Sequence, residues 1–138
     1  MQLWYSKSTQ TECAVTERTN IMPIAQMKTN YKLDADTKAQ FLDEAASELS
    51  DILKKPLPAI MVMLDECSMY MNRSEDTVFF AEFRYILPQE YADNKAAFLK
   101  ELADRMLAII QKYTHVDPYR IYMQFTEMTR EGAWRYTG

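Results

Sequence analysis

Residues 36–64 read DTKAQFLDEAASELSDILKKPLPAIMVML. Phe41, Leu42, Ala45, Ala46, Leu49, Ile52 and Leu53 recur on one helical face, so the spacing predicts a helix over 36–55. Asp34 suits its N-cap and Asp36 its first turn. A proline and a β-like run follow, Pro58 to Leu64. Residues 89–125, QEYADNKAAFLKELADRMLAIIQKYTHVDPYRIYMQF, repeat this order. Phe98, Leu99, Leu102, Met106, Ile109, Ile110 and Tyr113 mark a second helix over 89–113, with Pro88 just ahead of it. A second proline run, Pro118 to Phe125, begins 60 positions after the first. Each helix is also preceded by a β-like run, at 24–29 and at 77–86. The chain therefore reads β-α-β twice.

Two such units in one domain predict an α/β (α+β) fold, a four-stranded mixed sheet with both helices on one face. Each crossover makes a right-handed parallel pair. The third strand separates the faces. Phe79, Ala81, Phe83 and Tyr85 suit packing under the helices, while Val78, Phe80, Glu82, Arg84 and Ile86 form a mixed face. Such a face is too apolar for water and is expected to be covered by other subunits. Residues 1–21 lack a sustained period and are read as a flexible N-terminal extension ahead of a domain at 22–138.

Composition narrows the function. Among 138 residues there are two glycines, where average usage gives about ten. No dinucleotide fingerprint, phosphate loop or nucleophile elbow can be written with them. The net charge of −4 and the lack of a basic run argue against nucleic acid. Cys13 and Cys67, 54 positions apart, form neither a zinc knuckle nor a C-x-x-C pair. No metal and no cofactor is expected. No apolar run approaches membrane-spanning length, and no signal-peptide core is present, so the expected compartment is the cytoplasm. His115, the lone histidine, reads as a solvated loop residue, and Cys67 as a small buried hydrophobe.

The ordered landmarks resemble the tautomerase superfamily, in particular the macrophage migration inhibitory factor and D-dopachrome tautomerase group. The likeness runs from Met22 to about Trp134. Met22-Pro23-Ile24 opens the first strand, and Lys55-Pro56 follows the first helix. Met69-Tyr70-Met71-Asn72-Arg73-Ser74 stands where the group has Met-x-Phe-Gly-Gly-Ser. Pro118-Tyr119-Arg120-Ile121-Tyr122-Met123-Gln124-Phe125 is similar to Pro-Asp-Arg-Val-Tyr-Ile-x-Phe. Val78 and Ala81 replace the group's cysteine pair, so no thiol-oxidoreductase activity is expected. Because arginine enters the left-handed region poorly, the Asn72-Arg73 loop is expected to change shape.

The resemblance implies a homotrimeric, cofactor-free keto–enol tautomerase of phenylpyruvate or dopachrome type. Its substrate would be a small aromatic α-keto acid, and its sites would lie between subunits. Pro23 would be the general base. A free α-amine titrates near roughly 8, and burial beside an ammonium disfavours its protonated form. Lys55 would lower that pKa and hold the substrate carboxylate. Ile24 and Ile86 would shape the pocket, Tyr122 and Gln124 would enter from a neighbouring subunit, and Trp134 would line the rim. Methionine removal or cleavage must first free Pro23. If the extension stays attached, the alternative is a non-catalytic trimer of cytokine-like, protein-interaction type, with a receptor the sequence does not identify and secretion without a leader left open.

Overall fold

The computed structural model describes residues 23–136. The expected extension 1–21, together with Met22, lies outside the described residues. The elements are β1 (Ile24–Thr29), α1 (Ala35–Leu53), β2 (Met61–Glu66), β3 (Phe79–Tyr85), α2 (Lys95–Thr114) and β4 (Ile121–Glu127). They form one four-stranded sheet in the order β2-β1-β3-β4. β1 pairs parallel with β2, β3 parallel with β4, and β1 antiparallel with β3. This is the duplicated β-α-β sheet that the two proline runs predict.

Local chemistry sets the boundaries. Asp34 accepts from Thr37 N at 2.8 Å and starts α1. That bond holds its carboxyl below the usual range. Asn94 does the same for α2, accepting from Ala97 N at 3.2 Å. The second helix therefore begins at Lys95, six residues after the expected start. Asn94 competes for backbone N–H groups better as a cap than inside a helix, and Gln89–Tyr91 forms a separate 3₁₀ turn. Pro58 and Pro118 likewise occupy 3₁₀ turns, Leu57–Ala59 and Pro118–Arg120, and each strand starts three residues after its proline. Proline fixes φ and lacks an N–H, which suits a first turn better than a ladder.

The core lies between sheet and helices. Phe79, Ala81, Phe83 and Tyr85 are buried on β3, with Ala25 and Met27 on β1. Phe41, Ala45 and Leu49 of α1 and Phe98, Leu102 and Met106 of α2 cover them. Arg105 ties the helices, donating to Glu48 Oε1 at 2.7 Å and Asp51 Oδ2 at 2.8 Å on α1. It also bonds Glu101 at 3.1 Å on its own helix. Lys112 reaches Glu44 at 2.9 Å, and the Tyr113 hydroxyl donates to the same carboxylate at 2.8 Å.

The other face of the sheet is mixed, as its alternation predicts. Arg84 donates to Gln26 Oε1 at 3.0 Å and to Glu82 Oε1 at 3.1 Å. Thr126 Oγ1 donates to Glu82 Oε2 at 3.1 Å. Arg84 and then Thr126 hold the Glu82 carboxyl below its ordinary pKa. Around this polar centre lie half-buried Phe80 and exposed Met61, Met63 and Tyr122.

The loop at Asn72-Arg73 turns left-handed at both residues. Asn72 has φ 53° and Arg73 φ 60°, so the arginine does occupy the left-handed region. Met71 and Ser74 exchange both backbone hydrogen bonds across the turn, at 3.0 and 3.1 Å. Arg120 clamps its flank by donating to the carbonyls of Met71, Ser74, Asp76 and Thr77 at 3.0–3.2 Å. These bonds over-determine the turn and offset the strain at Arg73.

Candidate active site

Pro23 is buried immediately ahead of β1. Its carbonyl accepts from Met61 N at 3.1 Å, extending the β1–β2 pairing. Ile24 faces Arg84 across the antiparallel pair, so continuing the register sets Pro23 opposite Tyr85, one residue before Ile86. Lys55 follows the end of α1. The helix stops because Lys54 turns left-handed at φ 57°, with its N–H bonded to Ser50 O. Lys55 N also bonds Ser50 O at 3.2 Å, and Ser50 Oγ donates back to Lys55 O at 2.5 Å. The turn Leu57–Ala59 then carries the chain into β2.

Lys55 and Ile86 line one cleft of about 460 Å³. Its other walls are Leu53, Lys54, Leu87, Pro88, Gln89, Glu90 and Arg130. The lining thus includes three cationic residues, one carboxylate and the apolar Leu53, Ile86, Leu87 and Pro88. Such a cleft can hold a small anion by charge and its carbon chain by apolar contact.

Pro23 is not among the residues lining this cleft, and the remaining expected site residues lie elsewhere in the single chain. Ile24 is half-buried on the mixed face of β1. Tyr122 is 67% exposed on β4 and pairs in register with Phe80. Phe80 lies four residues from Arg84, so Tyr122 sits roughly 13 Å along the sheet from the Ile24 end. It lines a different groove, of about 400 Å³, with Lys28, Met69, Tyr70, Met71, Val78 and Phe80. Gln124 is exposed on the same face, opposite Glu82. Trp134 is 77% exposed, 6.4 Å from the Tyr136 ring, and is not among the cleft's lining residues.

Of two further expectations, the one for Cys67 changes and the one for His115 holds. Cys67 is half-exposed, in a cleft with Asn30, Lys32 and Glu66. His115 is the exposed left-handed cap of α2. Lys54 and Arg130 are cleft residues that sequence reasoning missed. Lys54 adjoins Lys55 and was within reach of the same argument. Arg130 lies in a 3₁₀ turn after β4, Arg130–Gly132, where no periodicity or motif marks it. Among the described residues, no helix is long and apolar enough to cross a membrane.

No protein-family model matches the sequence, and no curated protein does. Solved structures do. A macrophage migration inhibitory factor-like protein from Entamoeba histolytica superposes with TM-score 0.71 at 20% identity, covering 84% of this chain and 96% of that one. The macrophage migration inhibitory factor of Giardia lamblia gives TM-score 0.64 at 23% identity, covering 77% and 99%. A third protein, crystallised after inactivation by 2-oxo-3-pentynoate, gives 0.65 at 13% identity, covering 76% and 85%. The fold is that of the macrophage migration inhibitory factor group, the tautomerase fold.

Proposed function

We propose that this chain is a keto–enol tautomerase of phenylpyruvate type, with the secondary amine of Pro23 as its base. What supports the reading is the sheet register. It brings Pro23 opposite Tyr85, beside Ile86, and Ile86 shares a cleft with Lys55. In the chain as written the Pro23 nitrogen is an amide, joined to Met22, and has no basic lone pair. Activity therefore requires hydrolysis of the Met22–Pro23 bond. The freed amine takes a proton from the carbon beside the keto group, and the oxygen gains one as the enol forms. The reverse sequence gives the keto acid. The Lys55 ammonium holds the carboxylate and disfavours protonation of the amine.

Tyr122 and Gln124 enter this reading from a neighbouring copy of the chain. Their exposure and their distance from Pro23 along the sheet suit a shared site in a homotrimer. The Met22–Pro23 bond favours a second reading, a non-catalytic trimer that acts through protein contact.

Labelling separates the two. The full chain and a chain beginning at Pro23 are treated with 2-oxo-3-pentynoate, and peptides are mapped by mass. The tautomerase reading expects the adduct on Pro23 in the shorter chain only. An unlabelled Pro23 in the shorter chain, with intact fold, contradicts it.

A further inference from the structure

We propose that the fold seals the Met22–Pro23 bond, so that whether Pro23 carries a free amine is decided before β1 enters the sheet and is fixed from then on. The inference rests on the Pro23 reading above and deepens it by naming how that site is regulated.

A peptidase holds its substrate in extended form, much as a sheet edge takes an added strand, and its cleft receives the residues after the cut as well as those before it. Here the residues after the cut are Pro23, Ile24 and Ala25. Pro23 is buried, and its carbonyl is held by Met61 N at 3.1 Å. Ile24 is in register with Met61 on one side and Arg84 on the other, and Ala25 with Val62 and Phe83. β1 is an interior strand of the order β2-β1-β3-β4, so neither of its edges is free to pair with a peptidase. Ala25 and Met27 are fully buried in the core.

The far end of the strand is fastened too. Thr29 Oγ1 donates to Val78 O at 2.8 Å, and Lys28 pairs with Asp65 at 3.2 Å. Offering the bond for cleavage therefore means drawing β1 out from between its neighbours, which opens two ladders and the core together. An opening of that extent approaches global unfolding, and folded domains populate it at roughly one part in a thousand or less. On an unfolded chain these restraints do not exist. A folded full chain is thus a fixed product, not a precursor that a later cut can activate.

Hydrogen exchange on the folded full chain reads this opening directly. The β1 amides that pair with β2 and β3 are expected to exchange within about tenfold of the slowest amides of β3. Exchange at least about a hundredfold faster in β1 means that the strand peels away by itself, and overturns the inference. A second measurement follows methionine release from a folded chain beginning at Met22, with a methionine aminopeptidase as the probe. A peptide of residues 22–30 supplies the unrestrained rate. The folded chain is expected to lose its methionine at least about a thousandfold more slowly, and comparable rates overturn the inference. Neither measurement involves catalysis by Pro23. A chain beginning at Pro23 that fails to tautomerise sinks the base and leaves the seal standing. Rapid methionine release from the folded chain sinks the seal and leaves the base standing.

Discussion

α1 leaves its last turn through Lys54 at φ 57°, and α2 leaves through His115 at φ 56°. Ser50 Oγ donates to the carbonyl of Lys55, and 61 positions later Gln111 Nε2 donates to that of Val116. Each half then makes a 3₁₀ turn and a strand. On this shared frame the two corners diverge. Lys55 is half-buried in a cleft, while Val116 is 1% exposed. Pro23 precedes β1, and Val78 precedes β3. Val78 is locked in place, its N–H bonded to Asn30 Oδ1 at 2.9 Å and its carbonyl to Thr29 Oγ1 at 2.8 Å. Arg120 closes the second corner further with four bonds to backbone carbonyls. One half has a packed corner, the other a corner that opens on a cleft.

Exchanging residues between the corners breaks the comparison most sharply. Val116→Lys forces an ammonium into a packed site and should cost about 4 kcal/mol or more, read by urea unfolding. Its counterpart Lys55→Val should change stability by less than about 1 kcal/mol. Similar costs at both sites would remove the distinction. Arg120→Leu strips four carbonyls of a charged donor and should cost about 3 kcal/mol by the same measurement.

The turn at Asn72-Arg73 gives a smaller effect of opposite sign. Arg73→Gly relieves a left-handed arginine at φ 60° and should raise stability by roughly 0.5–1 kcal/mol. A destabilised variant would mean that the Arg73 side chain holds the turn.

The layer of ion pairs between the helices predicts the pH response. Lys112, then Tyr113, lower the pKa of Glu44, and Arg105 lowers that of Asp51. Tyr91, then Arg105, lower that of Glu101. A carboxylate depressed in the folded state stabilises fully above its unfolded pKa, about 4, and loses that contribution as pH falls through the lower folded value. The melting temperature should therefore be flat from pH 7 to about 5 and decline below about 4. These groups are exposed, so salt should blunt the decline.

The sequence carried the fold because its apolar periods are long and duplicated. β1 falls at the expected 24–29, and the buried face of β3 is the alternating set from Phe79 to Tyr85. α1 differs from the expected 36–55 by one residue at its start and two at its end. What was missed depends on short-range chemistry without a period. Asn94 shortens α2 through a single side-chain bond. Arg120 stabilises a left-handed arginine 47 positions earlier, a contact no local pattern announces. The site was legible only in part. Lys55 and Ile86 share a cleft, but Arg130 reaches it from beyond β4. Tyr122 and Gln124 face away on the open sheet surface, and a neighbouring copy of the chain is the route by which they would join the site.

The central claim is that the corner at Pro23 and Lys55 is the working one, through a free proline amine. Ultraviolet monitoring of phenylpyruvate tautomerisation tests it directly, comparing the full chain, a chain beginning at Pro23, and that shorter chain carrying Lys55→Met. The account predicts activity in the shorter chain, a loss of at least about a hundredfold in the full chain, and a comparable loss in Lys55→Met. Equal rates in the full and shorter chains would contradict it, because an amide nitrogen cannot serve as the base.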